Sequence, residues 1–253
     1  MKSLLIIDLM NATRRVAWVT GAGSGVGRAC AEALAERGWT VALSGRRAPE
    51  LAETAALVRA AGGTPLELPF DVTVDDARDR VEAISAATGG DGLDAVVLSA
   101  GANTPRRSWA DQSTAEFARI VQTNLLGVVR SADAALPGLR SASGVLVVVS
   151  SIAGWRPSPG AGVAYSASKA ALAPVVRTIN DQEAEAGVRA TLLCPGDIDS
   201  DFLRQRPVVP GAAARSAMLA PGDVARSAMF AIDAPRHVRI DELVISPLSQ
   251  RSS

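Results

Sequence analysis

Short apolar runs alternate with longer stretches of helical spacing along the chain. The runs at 16–20, 41–44, 65–70, 95–99, 145–150, 189–193 and 243–246 are almost continuously apolar. Runs of this length, bounded by turn residues, predict strands buried on both faces. Between them, residues 27–37, 49–61, 74–87, 114–136, 163–186 and 221–232 are Ala-rich with apolar positions three and four apart, which predicts helices. Strictly alternating strands and helices predict an α/β protein with a seven-stranded parallel sheet. Right-handed crossovers then place helices on both faces, as a doubly wound three-layer sandwich. No internal repeat or long linker interrupts the pattern, so residues 14–253 read as one domain. Residues 1–13 read as a flexible extension, with translation starting at Met1 or at Met10. The Pro- and Arg-rich stretch 202–215 reads as a mobile surface loop. Pro174 falls inside the helix at 163–186, where it predicts a kink more than a turn beyond Lys169.

Composition narrows the function. The 253 residues are 48% hydrophobic and carry 26 basic and 26 acidic side chains. Zero net charge gives no footing for nucleic acid or an anionic membrane surface. No apolar run reaches the ~18 residues of a membrane span, and the reading is a cytoplasmic protein. Two cysteines, Cys30 and Cys194, give no disulfide framework and read as buried thiols. A lone histidine, His237, leaves no His-based metal site or triad and reads as an exposed turn residue.

After the first strand comes Thr20-Gly21-Ala22-Gly23-Ser24-Gly25-Val26-Gly27, and then a helix. Glycines permit a tight turn and close approach of backbone N–H groups to a pyrophosphate, and the helix start adds partial positive charge. The second strand ends Ser44-Gly45-Arg46-Arg47, with no acid before Glu50. A carboxylate there would accept the ribose hydroxyl of NAD. Arg46 and Arg47 would instead clamp a 2′-phosphate, which favours NADP over NAD.

Tyr165, the only tyrosine, lies four residues before Lys169. On a helix both point into the same space. A neighbouring cation favours the phenolate, so the pair reads as an acid–base device whose tyrosine pKa is lowered by Lys169.

With these motifs the chain resembles the short-chain dehydrogenase/reductase family over residues 14–248. Gly21, Gly25 and Gly27 match its cofactor loop, and Tyr165 with Lys169 its catalytic pair. Asn124, Ser151 and the Pro195-Gly196 segment follow in the family's order. The C-terminal stretch 237–247 resembles the branch of NADP-dependent serine and 3-hydroxy-acid dehydrogenases and clavulanate-type aldehyde reductases. The resemblance implies a Rossmann-type fold and a reversible carbonyl/alcohol reaction on a small molecule, in a homodimer or homotetramer. It implies Asn124, Ser151, Tyr165 and Lys169 as catalytic residues, with Asn124 holding a relay water. It implies cofactor contacts from Ser24, Val26, Asp71, Val72, Ser99, Ala100, Gly101, Ile198 and Ser200. The family's two asparagines after strand four are absent, since the chain reads Leu98-Ser99-Ala100-Gly101. Arg106 and Arg107 read as substrate-carboxylate ligands or as a solvated loop. A 3-oxoacyl-thioester reductase and a non-catalytic dinucleotide-binding scaffold are the alternatives.

Overall fold

The computed structural model describes residues 15–250; the extension expected at 1–13 lies outside the described residues. The strands are β1 (Val16–Thr20), β2 (Thr40–Gly45), β3 (Thr64–Pro69), β4 (Ala95–Leu98), β5 (Val145–Val149), β6 (Arg189–Pro195) and β7 (Glu242–Ile245). They form one sheet in the order β3-β2-β1-β4-β5-β6-β7, with every pair parallel. The helices, in chain order, are α1 (Gly25–Ala35), α2 (Ala48–Ala60), α3 (Ala77–Thr88), α4 (Thr114–Val121), α5 (Gly127–Ala142), α6 (Ile152–Trp155), α7 (Val163–Ala170), α8 (Leu172–Gln182), α9 (Ala212–Arg215) and α10 (Pro221–Ile232).

The unbroken apolar runs follow from this architecture. Successive side chains on a strand point to opposite faces. On β1, Ala17 and Val19 enter a core shared with α1, α2 and α10, whereas Val16 and Trp18 enter one shared with α3, α5 and α8. Both faces are covered, so both parities must be apolar. The polar tip of buried Trp18 is satisfied by donating to Ser44 Oγ at 2.9 Å.

Strand order reverses between β1 and β4, which opens a crevice at their C-terminal ends. Thr20 Oγ1 spans it, accepting from Ser99 N at 3.2 Å and Ala100 N at 3.4 Å. That hydroxyl ties the two strand ends together although the loop after β4 lacks both asparagines.

Three elements differ from the sequence expectation. The helix expected at 163–186 is two helices, parted at Ala171. Pro174 has no N–H to donate to Ala170 and its ring crowds that carbonyl. Tyr165 and Lys169 both stay on α7, before the break. The helix expected at 114–136 is α4, a π-helical turn at Gln122–Leu126 and α5. The π turn carries Asn124 and buries it fully, and α5 runs on past Pro137 to Ala142. Finally, the stretch 202–215 is more ordered than a loop. It holds a 3₁₀ turn at Asp201–Gln205 and the short α9. Leu203 is buried, and Arg206 and Arg215 pair with Asp197 and Asp199.

Candidate active site

A cavity of about 940 Å³ runs along the C-terminal ends of the strands. At one end lies the glycine loop. Gly21 and Gly25 hold φ of +68° and +52°, which side chains disfavour. A Cβ on Gly21 would also sit 2.9 Å from Ala100 N. Gly27 is off the cavity wall and serves packing: its Cβ would lie 2.3 Å from Gly21 O. Ser24 caps α1 without a side-chain hydrogen bond, and the first turn holds no acid. Its N–H groups are therefore open to an anion in the cavity. Arg28 braces the loop by donating to Gly23 O at 2.7 Å and Thr54 Oγ1 at 3.0 Å. Nothing in the local residue pattern marks Arg28 for that bracing role.

Arg46 and Arg47 line the same end but differ. Arg47 pairs with Glu50 at 2.8 Å, whereas Arg46 has no ion pair among the described residues. Ser24, Gly25, Val26, Asp71, Val72, Ser99, Ala100, Gly101, Pro195, Gly196, Ile198 and Ser200 all lie on the wall. Asp71 is partly committed, accepting from Thr73 N and Thr73 Oγ1 at 2.9 and 2.7 Å.

The other end collects Ser151, Tyr165 and Lys169. Ser151, after β5, caps α6 and accepts from Ala153 N at 3.1 Å. Its hydroxyl also hydrogen-bonds the Tyr165 side chain. Gly154 lets α6 approach α7, since a Cβ there would lie 2.5 Å from the Lys169 carbonyl carbon. Ser150 Oγ donates to that carbonyl at 3.0 Å. Lys169 is 4% exposed and donates from Nζ to Val149 O at 2.7 Å. Burial pulls its pKa down from 10.5 to about 8. Asn124 lies behind the wall. Its Oδ1 accepts from Ala102 N at 2.7 Å, and Nδ2 donates to Ala102 O at 2.9 Å and Ser168 Oγ at 3.1 Å. Both side-chain donors are thus spent on bracing α7 against the loop after β4.

The expected electrostatics of Tyr165 need correction. Burial raises its pKa; the Ser151 hydrogen bond, then Arg107 and Arg206, pull it down. The cations acting most on the phenol are these arginines, while the Lys169 ammonium lies 6.0 Å from the ring centroid with its bond directed to Val149. Neither Arg206 nor its partner Asp197 was singled out from sequence, because both sit in segments without helical or strand period. Phe202 packs on the Tyr165 ring, centroids 6.0 Å apart.

Of the two loop arginines, Arg106 turns to Glu116, 2.6 Å away, and holds that carboxyl at about 2. Arg107 turns into the cavity. Cys30 and Cys194 are buried free thiols, with burial raising them to about 12 and about 11. His237 is exposed in a turn. Among the described residues no group of His, Cys, Asp and Glu could hold a metal ion, and no helix is long and apolar enough to cross a membrane.

The chain is similar to known proteins in sequence and fold. An uncharacterized oxidoreductase of Staphylococcus aureus is 33% identical over 93% of this chain and 98% of its own. The solved alcohol dehydrogenase of Thermococcus sibiricus, complexed with 5-hydroxy-NADP, is 30% identical, with TM-score 0.82 over 95% of this chain and 99% of that one. A 3-ketoacyl-ACP reductase from Sinorhizobium meliloti is 31% identical, with TM-score 0.79 over 91% and 96%. The short chain dehydrogenase model matches residues 15–208, from β1 through the glycine loop and Tyr165 to the ordered stretch after β6. The chain is an oxidoreductase of the short-chain dehydrogenase/reductase family.

Proposed function

We propose that the protein interconverts a ketone or aldehyde with its alcohol, using NADP(H). The observation that carries this is one continuous cavity with a glycine loop and Arg46, free of ion pairs among the described residues, at one end and the Ser151–Tyr165 hydrogen bond at the other. The residues suit a dinucleotide. The left-handed glycines leave room that side chains would fill, and the open turn of α1 offers N–H donors to a pyrophosphate. The Arg46 guanidinium, without an ion pair among the described residues, suits a 2′-phosphate, and Asp71 on the same wall is engaged by Thr73. NADP(H) bound along this cavity would supply the hydride.

The chain's own residues do the rest. Ser151 Oγ, fixed by Ala153 N, holds the substrate oxygen. Tyr165 gives that oxygen its proton in reduction and takes it back in oxidation. Its hydrogen bond to Ser151 and the two arginines favour the phenolate, offsetting part of the burial effect. Lys169, with its depressed pKa, exchanges a proton near neutral pH and holds the ribose. Asn124 keeps α7 in place. A relay water there rests on acceptor atoms, because both Asn124 donors are committed. Tyr165→Phe tests the assignment. NADPH binding, followed by quenching of tryptophan fluorescence, should persist while turnover falls by about 10²–10⁴-fold. Unchanged turnover would refute the mechanism.

A further inference from the structure

The geometry points to a carboxylate-binding subsite centred on Arg107, and hence to a substrate that carries a carboxylate beside its carbonyl or alcohol. This deepens, and rests on, the oxidoreductase reading above.

Three arginines line the reacting end, and they are not equivalent. Arg204 pairs with Asp201 and Arg206 with Asp197, while Arg106, off the wall, pairs with Glu116. Arg107 lines the cavity with no carboxylate in ion-pairing range among the described residues. Its guanidinium is held by three main-chain carbonyls. Nε donates to Thr104 O at 3.0 Å, Nη1 to Gly160 O at 3.0 Å and Nη2 to Gln205 O at 2.8 Å. These come from three segments: the loop after β4, the turn before α7 and the 3₁₀ turn after β6. Carbonyl dipoles fix the direction of the group but cancel none of its charge. Each terminal nitrogen keeps one further N–H, so a planar two-oxygen acceptor can still be met.

The seat of this side chain is built into the catalytic helix. Gly162, just before α7, has φ of +91°, and a Cβ on it would lie 3.1 Å from Arg107 Cβ. The turn three residues before Tyr165 is thus shaped to admit the arginine stem. Arg107 and Arg206 both act electrostatically on Tyr165, and Asp197 opposes them. Asp197 offsets one of the two guanidiniums by pairing with Arg206, and Arg107 is the one left for a substrate carboxylate. A neutral substrate would leave Arg107 half-buried and uncompensated, a costly state for an ion.

The test pairs each acid with the neutral compound in which methyl replaces carboxylate: acetoacetate with butanone, 4-oxobutanoate with butanal, 5-oxopentanoate with pentanal. NADPH oxidation gives kcat and KM for each. The wild-type protein should favour at least one acid by about tenfold or more in kcat/KM, the scale of a charge-assisted hydrogen bond. Arg107→Met should collapse that ratio toward one, mostly through KM. Arg107→Lys should keep part of it, and Arg106→Ala should keep all of it. A role confined to stitching the three segments would lower both members of each pair together. A preference that survives Arg107→Met, or a wild-type preference for the neutral members, overturns the inference. Calorimetric binding of the same acids to the wild-type and Arg107→Lys proteins with NADP⁺ needs no turnover. If the neutral carbonyls are reduced but no acid binds, the subsite falls and the oxidoreductase reading stands. If the acids bind through Arg107 while no carbonyl is reduced, the subsite stands and the reading falls.

Discussion

Burial of the Lys169 ammonium should be visible as a pH-dependent stability difference. The unfolded lysine titrates at 10.5 and the folded one at about 8, with desolvation the largest cause. Below pH 8 the lysine is charged in both states, and the folded state carries the full burial penalty. As pH rises from 8 to 10.5 the folded lysine is neutral while the unfolded one still binds a proton, so stability rises with pH. Above 10.5 the penalty is gone. The gap corresponds to roughly 3 kcal/mol at 1.36 kcal/mol per unit. Lys169→Met removes the titration but strands the Val149 carbonyl, a loss of about 1–3 kcal/mol that does not vary with pH. The absolute stability of the variant at pH 7 is therefore a poor readout, and its pH dependence relative to wild type is a good one. Urea unfolding, followed by the fluorescence of buried Trp18 and Trp39, should be measured from pH 7 to 10.5 for both proteins. Wild type should gain roughly 3 kcal/mol on the variant across that range. A flat difference would mean that Lys169 is not desolvated in the free protein, which would remove the physical basis for its proton exchange near neutral pH.

Two further outcomes follow from the cavity walls. Arg46→Ala should weaken NADPH binding by about 10–100-fold, the scale of charge-assisted hydrogen bonds, and leave NADH binding nearly unchanged. Arg47→Ala should cost less, since Glu50 already holds that guanidinium; fluorescence titration with both cofactors decides it. Gly154→Ala should lower stability by about 1–3 kcal/mol, because its Cβ would meet the Lys169 backbone at 2.5 Å. It should also lower kcat, since the clash pushes on the Lys169 backbone and on α6, which Ser151 caps.

What the sequence made legible was what depends on local pattern. Double-sided burial forces continuous apolar strands, so the seven strands and their helical crossovers could be read from periodicity to within a residue or two. The glycine loop and the Tyr165–Lys169 pair were legible because backbone conformation and the helical repeat fix what those residues can do. Pro174 announced a disturbance in its helix, and the break at Ala171 follows from its missing N–H. The π turn at Gln122–Leu126 left no such mark. A π turn differs from an α turn by one residue of register, and the apolar spacing through Asn124 fits either. The same limit applied to Gly27, which matched a cofactor motif yet packs behind the wall. A motif records which residue is needed, and a Cβ clash with Gly21 demands glycine as firmly as a phosphate does.

Charge pairing was the least legible part, for a physical reason. Arg106 and Arg107 are adjacent and of one type, and both follow β4; nothing local separates them. Their fates are set by groups far along the chain. Glu116, ten residues on, draws Arg106 outward. The carbonyls of Gly160 and Gln205, about fifty and a hundred residues on, draw Arg107 in. The tuning of Tyr165 is of the same kind. Lys169, its near neighbour in sequence, directs its ammonium to Val149. The guanidiniums that act on the phenol arrive from the loop after β4 and the turn after β6. If this division holds, Arg107→Met should raise the apparent pKa in the pH profile of kcat/KM, because a cation that favours the phenolate has been removed. The carbonyl that reacts and the charge that selects it are then governed by a single side chain, which the fold places where three loops meet.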